Sequence, residues 1–174
     1  MKHSSHPIIS LRVSLAPRIF RDIEISSEAS LYKLAEIINN IYGFDFDHAF
    51  GFYDNKKNPY KSKESYELFK DMGEGSEGSK SVKKSKVADA FDRDKKVLLF
   101  LFDYGDEWHF EVKRTGTRDQ PAPKAFWKLV KSEGDAPPQY PDYEEEDDGV
   151  PFNEKYELIK VGAVTVAKKR EKDK

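Results

Sequence analysis

The alternation of apolar and polar positions begins almost at once. Ile9, Leu11, Val13 and Leu15 are separated by Ser10, Arg12 and Ser14. That period of two predicts a strand with one buried face. Pro17 cannot donate to a ladder, so Ala16-Pro17-Arg18 predicts a break. The alternation resumes over 19–25, where Ile23 and Ile25 oppose Asp22 and Glu24. Two strands so closely spaced predict an antiparallel hairpin. Leu31, Leu34, Ile38 and Ile41 then recur at helical spacing, with Ile37 widening the stripe. Ser30 stands at the N-cap position and Gly43 where a C-terminal glycine cap belongs, which predicts a helix over 31–42.

A third strand is expected over 49–53. Residues 54–86 carry Gly73, Gly75 and Gly78 among serines, glutamates and lysines, a composition that predicts a flexible insertion. Val97-Leu98-Leu99-Phe100-Leu101-Phe102 is apolar at every position, as a strand buried on both faces must be. Tyr104-Gly105-Asp106 supplies a turn. In the return strand Trp108, Phe110 and Val112 alternate with His109, Glu111 and Lys113. A central β-hairpin over 97–113 follows, with a last strand near 127–131. The whole reads as one α+β domain over 8–140. Its strand–strand–helix–strand opening is β-grasp-like, with the helix on one face of a mixed or antiparallel sheet.

Beyond residue 140 the character changes. Positions 142–148 hold six acids in seven, and 168–174 hold five bases in seven. Tyr156, Leu158, Ile159, Val161, Val164 and Val166 between them predict a strand or hairpin. Residues 141–174 are therefore expected as an acidic run, a C-terminal strand and a basic tail.

Composition narrows the class. Phe and Tyr number 12 and 9, so rings supply the core area that the 37% hydrophobic content withholds. Lys+Arg (30) and Asp+Glu (32) nearly cancel, which disfavours nonspecific coating of nucleic acid, since that depends on phosphate neutralisation. There is no cysteine, so disulfides, thiolate metal sites and thiol nucleophiles are excluded. The six-residue run 97–102 is the longest apolar run, far short of a membrane span. The polar start, Met1 to Pro7, carries no signal-peptide pattern. The expectation is a soluble cytoplasmic protein with no membrane partner.

Three passages resemble the plasmid pRiA ORF-three-like family. One is Ile19-Phe20-Arg21-Asp22-Ile23-Glu24-Ile25 with Leu31-Tyr32-Lys33-Leu34 and Tyr42-Gly43-Phe44. Another is His48-Ala49-Phe50. The third is Asp103-Tyr104-Gly105-Asp106-Glu107-Trp108, similar to the family signature Asp-Tyr/Phe-Gly-Asp-x-Trp. Gly134-Asp135-Ala136-Pro137-Pro138 is similar to a later family segment. The resemblance implies the fold but no defined activity. The chain also departs from the pattern: Phe110 stands where members often carry His, and Phe46 replaces a second His. Ala136 replaces a Cys, and Gln139-Tyr140 replaces a Glu-Asp pair. The family is sometimes labelled resolvase-like, yet no nucleophilic Ser or Tyr with clustered arginines is visible here.

The candidate binding residues are Asp103, Tyr104, Asp106, Trp108, His109 and His48. Asp103, Asp106, His48 and His109 carry the ligands and proton-transfer groups of a metal-assisted hydrolase, provided they converge. The bland alternative is turn chemistry and capping. Trp108, Trp127, Phe110, Tyr104 and Tyr140 are either an aromatic binding groove or core. Lys80, Lys83, Lys84 and Lys86, with the lysine-rich C-terminus, offer contacts to DNA phosphates, the third alternative. The preferred reading is a non-catalytic binding domain for a protein or small ligand, without a predicted cofactor.

Overall fold

The computed structural model describes residues 6–140 and, as backbone, Tyr156–Val161 and Val164–Lys169. β1 (His6–Ala16) and β2 (Ile19–Ser26) form the expected antiparallel hairpin, with Leu11 opposite Ile23 and Val13 opposite Arg21. α1 (Leu31–Tyr42) starts on Ser30, whose hydroxyl accepts from the Lys33 amide, and ends on Gly43 at φ 71°. Left-handed backbone there suits glycine. The stripe Leu31, Leu34, Ala35, Ile37 and Ile38 is buried.

β3 (Phe50–Tyr53), β4 (Ser65–Glu67), α2 (Leu68–Asp71), β5 (Lys80–Ser81) and α3 (Val87–Ala90) follow. Then come β6 (Val97–Phe102), β7 (Trp108–Ala122) and β8 (Trp127–Glu133). One sheet of eight strands runs β5-β4-β3-β6-β7-β1-β2-β8. Only β4 and β5 pair in parallel; every other pairing in that sheet is antiparallel. The α+β class holds, while the finer β-grasp-like opening is not confirmed. β9 (Tyr156–Val161) and β10 (Val164–Lys169) pair antiparallel in a separate ladder, the hairpin of the two expected forms. The acidic run 142–148 and the tail beyond Lys169 lie outside the described residues.

Strand parity decides which face each side chain takes. Phe100 and Phe102 of β6 stand opposite Phe110 and Trp108 of β7, and beside Phe52 and Phe50 of β3. These rings join the stripe of α1 in one core. Tyr42 and Phe44 meet Phe110 and Trp108 at 4.9 and 4.7 Å, edge to face. Such pairs add about 0.5–1.5 kcal/mol to area burial. On the opposite face Leu99 and Leu101 pack with Tyr53 under Tyr104. β6 is therefore buried on both sides, as its pattern required.

Arg21 is 6% exposed and finds its partners in backbone carbonyls. Its guanidinium donates to Phe20, Glu133 and Gly134 at 2.9, 2.8 and 3.0 Å, and lies over the Tyr42 ring. The arginine of the family strand motif thus ties the end of β8 to the end of α1.

Residues 54–86, expected as a flexible insertion, are corrected by this arrangement. β4 and β5 extend the sheet, and Tyr66 and Val82 are buried at 1% and 0% exposure. Polar side chains organise the stretch: Glu67 accepts from the Ser76 amide, and Asp71 from the Val82 amide and the Ser81 hydroxyl. Gly75 is present for closeness, since a Cβ there would stand 2.7 Å from the Lys70 backbone. Replacing Tyr66 by Ala is expected to destabilise the whole domain by about 3–5 kcal/mol, as for other buried rings. Chemical denaturation checks this; a loss below about 1 kcal/mol would return the stretch to the status of an appendage.

Candidate functional site

The turn between β6 and β7 is built by Asp103. Its φ is 59°, and that of Glu107, at the other end of the turn, is 53°. Asp tolerates left-handed backbone better than most residues because its short side chain bonds locally. Asp103 Oδ1 accepts from the Gly105 and Asp106 amides at 2.9 and 3.4 Å. The Asp103 amide donates to the Ala49 carbonyl at 3.0 Å, and its carbonyl accepts from Glu107 at 2.6 Å.

Tyr104 anchors the turn on one side. Its hydroxyl is 2.7 Å from that of Tyr53, which donates to Glu67, and its ring packs on Phe69 at 5.2 Å. Burial raises the Tyr104 hydroxyl to about 12. Trp108 is 2% exposed and belongs to the core. Most of the family signature is thereby accounted for as turn, anchor and packing.

On the other side stands His48, in the segment leading into β3. Asp47 Oδ1 is 2.8 Å from His48 Nδ1, and Asp47 Oδ2 accepts from the Tyr140 hydroxyl at 2.9 Å. Gln139 donates to Tyr140 and Asp47 and accepts from the Asp45 amide at 2.6 Å. With the tyrosine proton on Asp47, the imidazole proton belongs on Nδ1. His48 Nε2 then carries a lone pair, 3.6 Å from Asp103 Oδ2. The Asp103 side chain is only 9% exposed, and its Oδ2 has no hydrogen bond among the described residues. In the neutral ring two acceptors face each other there, and protonation of Nε2 makes the contact an ion pair.

Asp47, Asp103 and Asp106 all act on this imidazole. His48 is raised above its ordinary value, first by the hydrogen bond to Asp47 and then by the charges of Asp103, Asp47 and Asp106, against partial desolvation. Asp47 is lowered in return by the bond to His48. The Tyr140 hydroxyl rises to about 12 through desolvation and its bond to Asp47.

His48 and Asp103 are therefore brought together, with the Asp106 charge nearby, but His109 is not. It pairs with Leu101 on the face opposite Trp108 and Phe110. There, with Leu99, Glu111, Lys56 and Pro17, it lines an open groove of about 600 Å³. Its Nε2 is buried without a partner among the described residues, and desolvation lowers its pKa. Among the described residues no group of three or more His, Cys, Asp or Glu is arranged to hold a metal ion. The expected aromatic groove is not assembled either. Trp108 and Phe110 are core, Trp127 packs against that core, Tyr104 is on the other face, and Tyr140 is 46% exposed. Lys80 and Lys86 pair with Glu64 and Glu28, and Lys83 lies over Tyr32. The contribution of Gln139 and Tyr140 to the His48 corner was missed. The one signal for it was their position, where the family carries Glu-Asp.

The turn, the His48 segment and the core rings carry the motifs of a family whose model, described as Plasmid pRiA4b ORF-3-like protein, matches residues 8–145. The chain belongs to this family. No curated protein matches it. This pRiA4b ORF-3-like chain shares its fold with the crystal structure of a protein of unknown function from Methanosarcina mazei Go1. The TM-score is 0.59 at 20% identity, over 78% of this chain and 74% of that one. Among the described residues no helix is long and apolar enough to cross a membrane.

The two histidines should titrate in opposite directions. A ring NMR titration is expected to place His48 above and His109 below the ordinary value near 6.5. Because the folded value of His48 is raised, its contribution to stability is full below the unfolded pKa. That contribution is lost as pH rises through the folded value. His48→Gln should therefore destabilise more at pH about 5.5 than at about 8.5, by linkage. An equal loss at both would show that the Asp47 and Asp103 contacts do not form in solution.

Proposed function

We propose that the protein is a non-catalytic binding domain whose recognition surface is the corner formed by His48, Asp47, Asp103 and Tyr140. The observation that supports this reading most is the Asp103 carboxylate, held by its own turn with Oδ2 3.6 Å from the oriented His48 imidazole. Three carboxylates act on one histidine there, so the corner suits a positively charged group. A cytoplasmic setting suits a chain without cysteine.

The hydrolase alternative drew on four residues, and His109 stands across the sheet from His48. The DNA alternative drew on lysines of which Lys80 and Lys86 are already paired with glutamates. Neither gains from the fold.

The test is a titration of the His48 ring resonance with methylguanidinium, using acetate as the anionic control. A perturbation by the cation alone, abolished in Asp103→Asn, is expected. An unperturbed ring, or an effect that survives the substitution, would remove the corner from consideration.

A further inference from the structure

We propose that the groove around His109 is a binding site for a small organic carboxylate with an apolar body. The groove lies on the sheet face opposite α1, so it is separate from the His48 corner and does not depend on it.

The floor is set by strand register. Ser14 of β1, Glu111 of β7 and Leu99 of β6 stand abreast, with His109 next along on the same face. The stripe of α1 packs on the other face, with Phe100 and Phe110. One wall of the groove is the β1–β2 turn with Ala16 and Pro17, and the other is the chain at Lys56 and Lys57. Side chains hold that second wall in shape. Asn55 Oδ1 accepts from the Lys57 and Asn58 amides, and the Asn55 amide donates to Ser62. The space between the walls, about 600 Å³, falls within the range of small-ligand sites.

Two features say what the ligand carries. The first is His109, a half-buried ring whose Nε2 is enclosed without a partner among the described residues. Desolvation favours its neutral form, which carries one proton for two nitrogens. An enclosed N–H without an acceptor is the rarer arrangement, so the proton belongs on Nδ1, where a ligand oxygen can accept it. The second feature is charge. Lys56 pairs with Glu111 and cancels the one carboxylate that lines the groove. Lys57 is exposed and has no ion pair among the described residues, so the groove is left with one positive charge.

A carboxylate answers both features at once, since it accepts from the imidazole and neutralises the ammonium. Ala16, Pro17 and Leu99 give the rest of the molecule an apolar bed. A cationic ligand would meet Lys57 with no free carboxylate to oppose it, and a purely polar anion would leave that bed uncovered.

The experiment follows the amide NMR resonances of Ser14, Leu99 and Glu111 in the full chain as benzoate is added. Benzylamine keeps the ring with the opposite charge, and acetate keeps the charge without the ring. The expected result is a saturable shift with benzoate, at a Kd of about 1–10 mM or tighter, as suits a small fragment. The His48 ring should not respond. Lys57→Glu, a change at an exposed position, should weaken benzoate at least about threefold, the scale of an exposed ion pair reversed. His109→Phe keeps a ring and removes both nitrogens. It should weaken benzoate while leaving the thermal midpoint unchanged or raised, because an unpaired enclosed nitrogen is lost. A response to benzylamine or acetate as strong as that to benzoate would overturn the proposal. So would benzoate binding that both substitutions leave unaltered, or no saturation up to about 50 mM.

Discussion

Everything at this end of the molecule depends on how β6 stops. From Leu98 to Phe102 the strand is buried on both faces, so it cannot fray, and the next residue must turn the chain at once. Asp103 does this with a left-handed φ of 59°, and Glu107 closes the turn in the same region. Such backbone costs about 1–3 kcal/mol per residue for anything but glycine. The offset comes from the Asp103 carboxylate, which receives two amides of its own turn. A glycine would relieve the strain but would leave those amides without a partner.

The strained turn persists because it is held from both faces of the sheet. Tyr104 reaches one face and joins Tyr53, Glu67 and Phe69, all tied to the 54–81 stretch. The Asp103 backbone reaches the other side and bonds to Ala49, next to His48. That explains why a segment with linker-like composition folds. Its apolar content is modest, but Tyr66 and Val82 fill the core and Tyr104 needs a surface to lean on. The same grip brings the His48 segment within 3.6 Å of Asp103.

How much of this was legible follows from the range of each interaction. The hairpins and α1 were readable because a period of two or 3.6 is written locally, and their caps sit next to them. The parity of β7 was readable as well: Trp108 and Phe110 had to share a face, and His109 had to take the other. The 54–86 elements were not, because their order comes from polar side chains bonding amides many residues away, as Asp71 does with Val82. Glycines, serines and acids read as solvated loop until the partner amide is known. Nor could β8 be placed beside β2, since its pattern says strand without saying which neighbour. The carboxylates near His48 were visible in the sequence, whereas Gln139 and Tyr140 reach it only through the fold.

The departures from the family pattern gain a physical meaning from this geometry. Position 110, where the family resemblance implies histidine, is fully buried here among Tyr42, Phe44 and Phe100. An imidazole there would lie in the aromatic core, where desolvation disfavours its charged form. Phe110 spends that position on packing. His109, one residue away, is carried by strand parity to the far face and cannot substitute. The chemistry on this side is concentrated in His48, and Gln139 and Tyr140 bond Asp47 behind it. Held in this way, Asp47 in turn orients the His48 ring.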